Sequence, residues 1–347
     1  MKNRILPYPT SAAIITTYKC TEACEECCFE CSPNIDSKSI SYNEMVKFID
    51  EVSEVPSVRL VVWSGGECFI VRDTLLKGVA YAKSKGLVSR IVTNGFWCPS
   101  IKKGKKILSE FKDSGLVEIN FSTGDSHQKF VPVERILNGA IAALEIGLTV
   151  CISVETTKRN SFLKDDLLNH PLYQSYIKDT PLEDNILVSS AVWVSFHTDN
   201  EFEYEEVPAQ NKVGCDGIFD TIGLEPHNGL VGCCGLTVGH IKEMQLGSLS
   251  DGNVWARYAE QYDDFLKIWI YTDGPDYILK KVKEWQPEID VPNFHHKCLS
   301  CAYIYNSPEI LEIIKNNYDT IVNEVFTAFE AKVILTEQSI KPILIES

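Results

Sequence analysis

The residues with most chemistry to offer are cysteines. There are thirteen in 347 residues. Five fall between Cys20 and Cys31, and five more are Cys215, Cys233, Cys234, Cys298 and Cys301. Cysteines used as packing should scatter, as Cys151 does inside the apolar run Thr149–Val154. Grouped cysteines point to sites. The opening residues MKNRILPYPT lack the apolar stretch of an export signal. The expected setting is therefore the reducing cytoplasm, where thiols ligate metal or do redox work rather than pair as disulfides.

Cys20-x3-Cys24-x2-Cys27 places three thiolates on one loop. A cubane [4Fe–4S] cluster bound by three thiolates keeps one iron without a protein ligand, the mark of a reactive rather than a structural site. Zinc is the alternative, but zinc sites usually join two separated cysteine pairs. Cys28 and Cys31 read as structural. The second group offers four thiolates, enough for a closed [4Fe–4S] cluster or for zinc, and leaves one spare. Cys233 and Cys234 are adjacent, and neighbouring side chains rarely serve one cluster together. One of them is expected to ligate and the other to remain a thiol, a good hydrogen-atom donor. Cys68 is a rival donor.

These residues need elements to position them. Short β-branched runs at Ala13–Tyr18, Val58–Trp63, Ser89–Thr93, Val117–Ser122, Thr149–Glu155 and Ile186–Val194 predict six strands. Helical patterns over Ser41–Val55, Thr74–Lys85, Lys102–Ser114, Val133–Ile146 and Phe162–Tyr176 alternate with them. Ser41 and Glu44 form a capping box at the head of the first. Alternation of this kind predicts an α/β fold, a partial (β/α)6 TIM-type barrel with active residues at the C-terminal strand ends; a doubly wound sheet is the fallback. Residues 1–195 form the barrel in this reading. Residues 196–306, richer in glycine, acidic and aromatic residues, form a smaller α+β domain carrying the second cysteine group, and 307–347 a helical tail.

The cysteine triplet and the strand ends together resemble the radical S-adenosylmethionine (SAM) superfamily. Ser64-Gly65-Gly66-Glu67, one βα unit after the triplet, looks like its Gly-Gly-Glu element. The resemblance implies that backbone and carboxylate there hold the SAM amino group, with glycines permitting close approach of chain to ligand. Asn94, Ser122 and His127 match positions lining the SAM ribose and carboxylate, while Cys20, Cys24 and Cys27 hold the cluster. Two features depart from the pattern. Glu26 stands where an aromatic residue usually packs on adenine, with Phe29 as a substitute, and Gly124 displaces the usual acidic residue to Asp125. The second cysteine group resembles a short "twitch" auxiliary-cluster domain; the seven-cysteine SPASM pattern is not satisfied.

Cys27-Cys28-Phe29-Glu30-Cys31-Ser32-Pro33, Gly95-Phe96-Trp97, the Cys233-Cys234 pair and Cys298-x2-Cys301 with Asn306-Ser307 resemble the radical SAM peptide epimerases of the epipeptide type. That resemblance makes Cys215, Cys233, Cys298 and Cys301 ligands of a second [4Fe–4S] cluster and Cys234 the hydrogen donor. The implied activity is Cα–H abstraction from a ribosomally made precursor peptide and return of hydrogen to the other face, converting an L- to a D-residue. The implied partners are that peptide and an electron donor such as flavodoxin or ferredoxin. A peptide crosslinking enzyme, or an Fe–S or zinc protein without turnover, is the alternative. The formal net charge of -15 argues against a nucleic-acid partner, and no apolar run is long enough for a membrane helix.

Overall fold

The computed structural model describes residues 6–196, 212–227, 229–233, 237 and 239–336. The chain divides into two compact units: residues 12–205 with 224–229, and residues 1–11 with 206–223 and 230–347.

In the first unit β-branched runs become strands β1 (Ser11–Ile15), β2 (Leu60–Ser64), β3 (Val88–Thr93), β4 (Leu116–Thr123), β5 (Thr149–Thr156) and β6 (Ile186–Val192). Between them lie α1 (Tyr42–Ser53), α2 (Arg72–Ser84), α3 (Ile101–Asp113), the single turn α4 (Asp125–Gln128), α5 (Val133–Glu145), α6 (Lys164–Leu168) and α7 (Pro171–Tyr176). The strands lie in the order β6-β5-β4-β3-β2-β1. Every pair from β2 to β6 is parallel. β1 and β6 are not neighbours, so the sheet is open, as a partial barrel requires. Helix α1 shows why the pattern folds this way. The Ser41 hydroxyl accepts from the Glu44 amide and the Glu44 carboxylate from the Ser41 amide, while Met45, Phe48, Ile49 and Val52 turn inward.

One predicted helix is broken. The segment Phe162–Tyr176 divides into α6 and α7 because Pro171 has no amide to donate and forces His170 into an extended conformation (ψ 137°). Pro171 then opens the new helix, and the His170 ring accepts from the Leu172 amide at 3.2 Å.

The second unit is α+β. It contains α8 (Gly217–Asp220), strands β7 (Thr221–Leu224), β8 (Gly229–Val231) and β9 (Gln245–Ser248), then α9 (Val254–Ala259), α10 (Phe265–Asp273), α11 (Pro275–Trp285), α12 (Lys297–Asn306), α13 (Pro308–Asn317) and α14 (Val322–Leu335). β7, β8 and β9 are successive neighbours. Its core is aromatic: Phe219 lies 5.2 Å from Tyr262 and 5.3 Å from Tyr271, and Tyr271 meets Phe329 of α14 edge-on at 5.6 Å. The tail pattern from Ser307 is two helices rather than one. Between them is a 3-10 turn, Tyr318–Thr320, where Asn317 donates to the Ile313 carbonyl and the Thr320 hydroxyl to the Asn317 carbonyl. Among the described residues no helix is long and apolar enough to cross a membrane.

Candidate metal centres

The cysteine triplet occupies the loop that leaves β1. Its base is closed on one side by a bridge between Lys19 and Ser32 and by the Cys20 amide donating to the Ser32 carbonyl at 3.2 Å. Two tight turns follow, Cys27 N–H to Cys24 O at 3.2 Å and Glu30 N–H to Cys27 O at 3.0 Å, and Glu30 takes a left-handed φ of 53°. The loop is then folded back so that the Cys31 amide points at the Cys27 sulfur, 3.4 Å away. Donors from Cys31 hold the Cys27 thiol below its usual range, whereas burial pushes Cys20 up to about 12 and Cys24 up as well. Iron loading therefore has to displace protons from Cys20 and Cys24.

Gly65 and Gly66 are pressed against this loop. The Gly66 amide donates to the Thr17 carbonyl at 2.7 Å and the Glu67 amide to the Lys19 carbonyl at 2.9 Å. A Cβ on Gly65, whose φ is 145°, would lie 2.5 Å from the Thr17 oxygen, and one on Gly66 would lie 2.3 Å from that of Lys19. The close approach that requires glycine here is to the chain's own backbone, which seats Cys20. The Glu67 carboxylate also turns inward. It accepts from Phe69 N–H (2.9 Å), Asn94 N–H (2.8 Å) and the Thr93 hydroxyl (2.9 and 3.0 Å), joining β2 to β3, so the carboxylate expected on a ligand is bound to protein donors. Asn94 reaches the triplet itself, its side-chain amide 3.7 Å from the Cys20 sulfur and 2.9 Å from the Thr21 hydroxyl. Ser64 ends β2, where its carbonyl accepts from the Thr16 amide at 2.8 Å. Ser122 is buried near the end of β4, opposite Ser153.

His127 is buried just beyond β4. Its Nδ1 bonds the Glu155 carboxylate at the end of β5, and its Nε2 lies 4.0 Å from Glu22 Oε2, which in turn accepts from the Cys24 thiol at 3.2 Å. Gly124 makes room for this line: its φ is 144°, and a Cβ would sit 2.1 Å from Glu155 Cγ. Burial pulls the His127 imidazole down, but Glu155, Glu22 and Glu26 raise it on balance. Burial lifts Glu22 to about 7 and raises Glu26. Glu22 Oε1 and Glu26 Oε2 are buried with no hydrogen-bond partner among the described residues. Glu22, Glu155 and Trp193, whose ring meets His127 edge-on at 4.6 Å, were not foreseen. The position of Glu155 at a C-terminal strand end was the available signal. Asp125 has a different task, holding Ser161 and Phe162 through their amides at 2.6 and 3.0 Å. Phe29 packs on Tyr18 at 6.1 Å.

The second unit brings its own thiols together. Cys215, fixed by its amide to the Ile270 carbonyl at 2.9 Å, precedes α8; Cys233 follows β8, its sulfur 3.3 Å from the Thr237 hydroxyl. Cys298 and Cys301 share a face in the first turns of α12, capped by the His296 ring on the Cys298 amide at 3.1 Å. Burial raises the Cys301 thiol, and the charges of Cys215, Cys233 and Cys298 add to the shift. Burial likewise pushes Cys298 up to about 12. Cys234 lies outside the described residues. Cys68, the rival donor, opens the turn just past β2 and is fully buried, with its thiol 3.3 Å from the Val92 carbonyl.

Residues 14–157, which span β1 to β5 and the cysteine triplet, match the family model of the Radical SAM superfamily. Over those residues the chain is similar to the radical SAM superfamily. The radical SAM fold implies a [4Fe–4S] cluster and SAM. Across 327 residues the protein is 20% identical to "Putative peptide biosynthesis protein YydG" of Bacillus subtilis (strain 168), covering 92% of this chain and 99% of that one. Among solved structures, anSMEcpe with bound AdoMet superposes with a TM-score of 0.55 at 12% identity, covering 89% of this chain and 99% of that one. BtrN in complex with AdoMet and 2-DOIA gives 0.46 at 10% identity, covering 78% and 89%. At 12% identity the likeness to anSMEcpe is one of fold, and it agrees with the open parallel sheet described above.

Proposed function

We propose that this protein matures a ribosomally made peptide by inverting Cα centres, and that Cys234 returns the hydrogen. The observation that carries this reading is that Cys215, Cys233, Cys298 and Cys301 all lie in the second compact unit, buried or half-buried, with Cys298 and Cys301 on one face of α12. With those four engaged by an auxiliary [4Fe–4S] cluster, one thiol of the group is left over, the immediate neighbour of a ligand. A peptide substrate is supported by the relative whose name speaks of peptide biosynthesis.

The residues present fit the groups this chemistry needs. Three thiols on one closed loop suit a cluster with an open iron. The orphaned acceptors Glu22 Oε1 and Glu26 Oε2 suit a ligand rich in N–H and O–H donors and positively charged, which SAM is. In this reading Cys20, Cys24 and Cys27 hold the iron, and Ser64, Gly65, Gly66, Glu67, Asn94, Ser122 and His127 shape the SAM site. Bound there, cluster and SAM supply a carbon-centred radical able to take hydrogen from an unactivated C–H bond. The protein positions the peptide, keeps water and stray donors away, and supplies the returning atom. One hydrogen atom leaves Cα and one passes from the Cys234 thiol to the opposite face. The sulfur radical left behind takes one electron, from a flavodoxin- or ferredoxin-type carrier, and one proton. Nothing in this sequence of events asks for a general acid–base pair.

The test is the mass of a co-expressed precursor peptide processed in heavy water. Unchanged connectivity with one deuterium gained per modified Cα, lost in Cys234→Ala, is the expected result. A loss of two hydrogens with no deuterium gained overturns the proposal and identifies a crosslinking enzyme.

A further inference from the structure

The second unit buries a cation beside the segment that delivers Cys233. Lys267, on α10, is 3% exposed. Its ammonium donates to the Glu243 carbonyl at 2.6 Å and to Gln261 Oε1 at 3.0 Å, both neutral acceptors, and among the described residues no carboxylate bonds it. The nearby Asp264 carboxylate caps α10, accepting from the Leu266 and Lys267 amides at 2.9 and 3.2 Å. Burial lowers Lys267 below the usual lysine range, against the attraction of Asp264, Cys233, Glu243 and Cys301. Two of those four opposing groups are thiols of the cysteine set.

Both acceptors of the ammonium also border the segment that delivers Cys233. Glu243 immediately precedes Met244, whose carbonyl receives the Gly232 amide at 2.9 Å. Gln261 lies against Gly232 so closely that a Cβ there would be 2.1 Å from its Oε1. A buried charge with only neutral bonding partners is costly unless an opposite charge lies nearby. A [4Fe–4S]2+ core with four thiolates carries a net charge of 2−, rising to 3− on reduction. A fixed cation next to it stabilises the reduced form more than the oxidised one.

We propose that Lys267 is the counter-cation of the Cys215–Cys233–Cys298–Cys301 centre, a positioning residue that raises the reduction potential of the cluster held there and anchors the Cys233 segment. The inference rests on the reading of those four cysteines as ligands of an iron–sulfur cluster. It concerns charge balance at that centre and is independent of whether the peptide is epimerised or crosslinked.

The experiment uses the full chain, reconstituted anaerobically with iron and sulfide. Metal is counted per chain, and reduction is followed by electron paramagnetic resonance across a potential titration. Wild type, Lys267→Met and Lys267→Arg are compared. Two clusters in the wild type, a downward shift of the auxiliary midpoint in Lys267→Met with the SAM-site cluster unmoved, and a midpoint restored toward wild type in Lys267→Arg are the expected results. Loss of the second cluster in the Met variant but not in the Arg variant supports the same charge role. An unshifted midpoint in Lys267→Met, or loss of the cluster in both variants, overturns it. A wild type that binds a single cluster, or zinc in place of the second, overturns the auxiliary-cluster reading itself; the metal count separates that failure from the others.

Discussion

Glu67 shows how a single carboxyl can set a pH dependence. Its ordinary value of 4.5 is pushed up to about 7 by burial, although Asn94, Phe69 and Thr93 all donate to it. The unfolded chain releases this proton near 4.5, whereas the folded chain holds it to about 7. The folded state therefore binds more protons between those values, and its stability falls as pH rises through that window. We expect the urea-unfolding free energy of the metal-free full chain to drop by roughly 2–3 kcal/mol from this group between pH 5 and pH 8. Glu67→Gln is expected to flatten that slope; an unchanged slope in the variant refutes the assignment. At this scale the sequence was informative about which residues matter and less so about what they touch. The places of Cys20, Cys24 and Cys27 on one loop, and of Gly66 and His127 beside strand ends, were legible because spacing and the strand pattern fix them. The inward turn of Glu67 and the Glu155–His127–Glu22 line depend on side-chain directions across separate strands, which no local pattern encodes.

Element by element, the alternation of β-branched runs and amphipathic stretches translated directly into β1–β6 and their helices, because a parallel sheet covered by helices selects for that pattern. It failed where single residues interrupt a periodic stretch: Pro171, without an amide to donate, divides one helix, and Asn317 with Thr320 divides another. The second of these breaks precedes α14, whose Phe329 is 1% exposed among Phe219 and Tyr271. Removing that ring should cost about 3–5 kcal/mol, as large core truncations do. Phe329→Ala is expected to lower the thermal transition of the second unit while the triplet in the first still loads iron. Equal loss of loading at the triplet would contradict this.

Across the whole molecule, the two groups of expected ligands fall in separate compact units: Cys20, Cys24 and Cys27 in one, Cys215, Cys233, Cys298 and Cys301 in the other. Two centres built from separate segments should load separately. Cys24→Ala is expected to remove about four irons per chain, one cluster's worth, and to abolish SAM cleavage. Cys298→Ala is expected to remove a similar number and leave reductive SAM cleavage in place. Loss of all iron from either variant would show a single interdependent centre instead.

The loop around the triplet is held by its own backbone, with Gly66 and Glu67 bonded to Thr17 and Lys19 on one side and Ser32 closing it on the other. None of these bonds involves a cysteine side chain. Air strips such clusters readily, and a loop that kept its shape only while full would collapse after each exposure. A loop tied in this way is expected to keep its outline when its cluster is lost, so that repair needs iron, sulfide and electrons but no refolding of the chain.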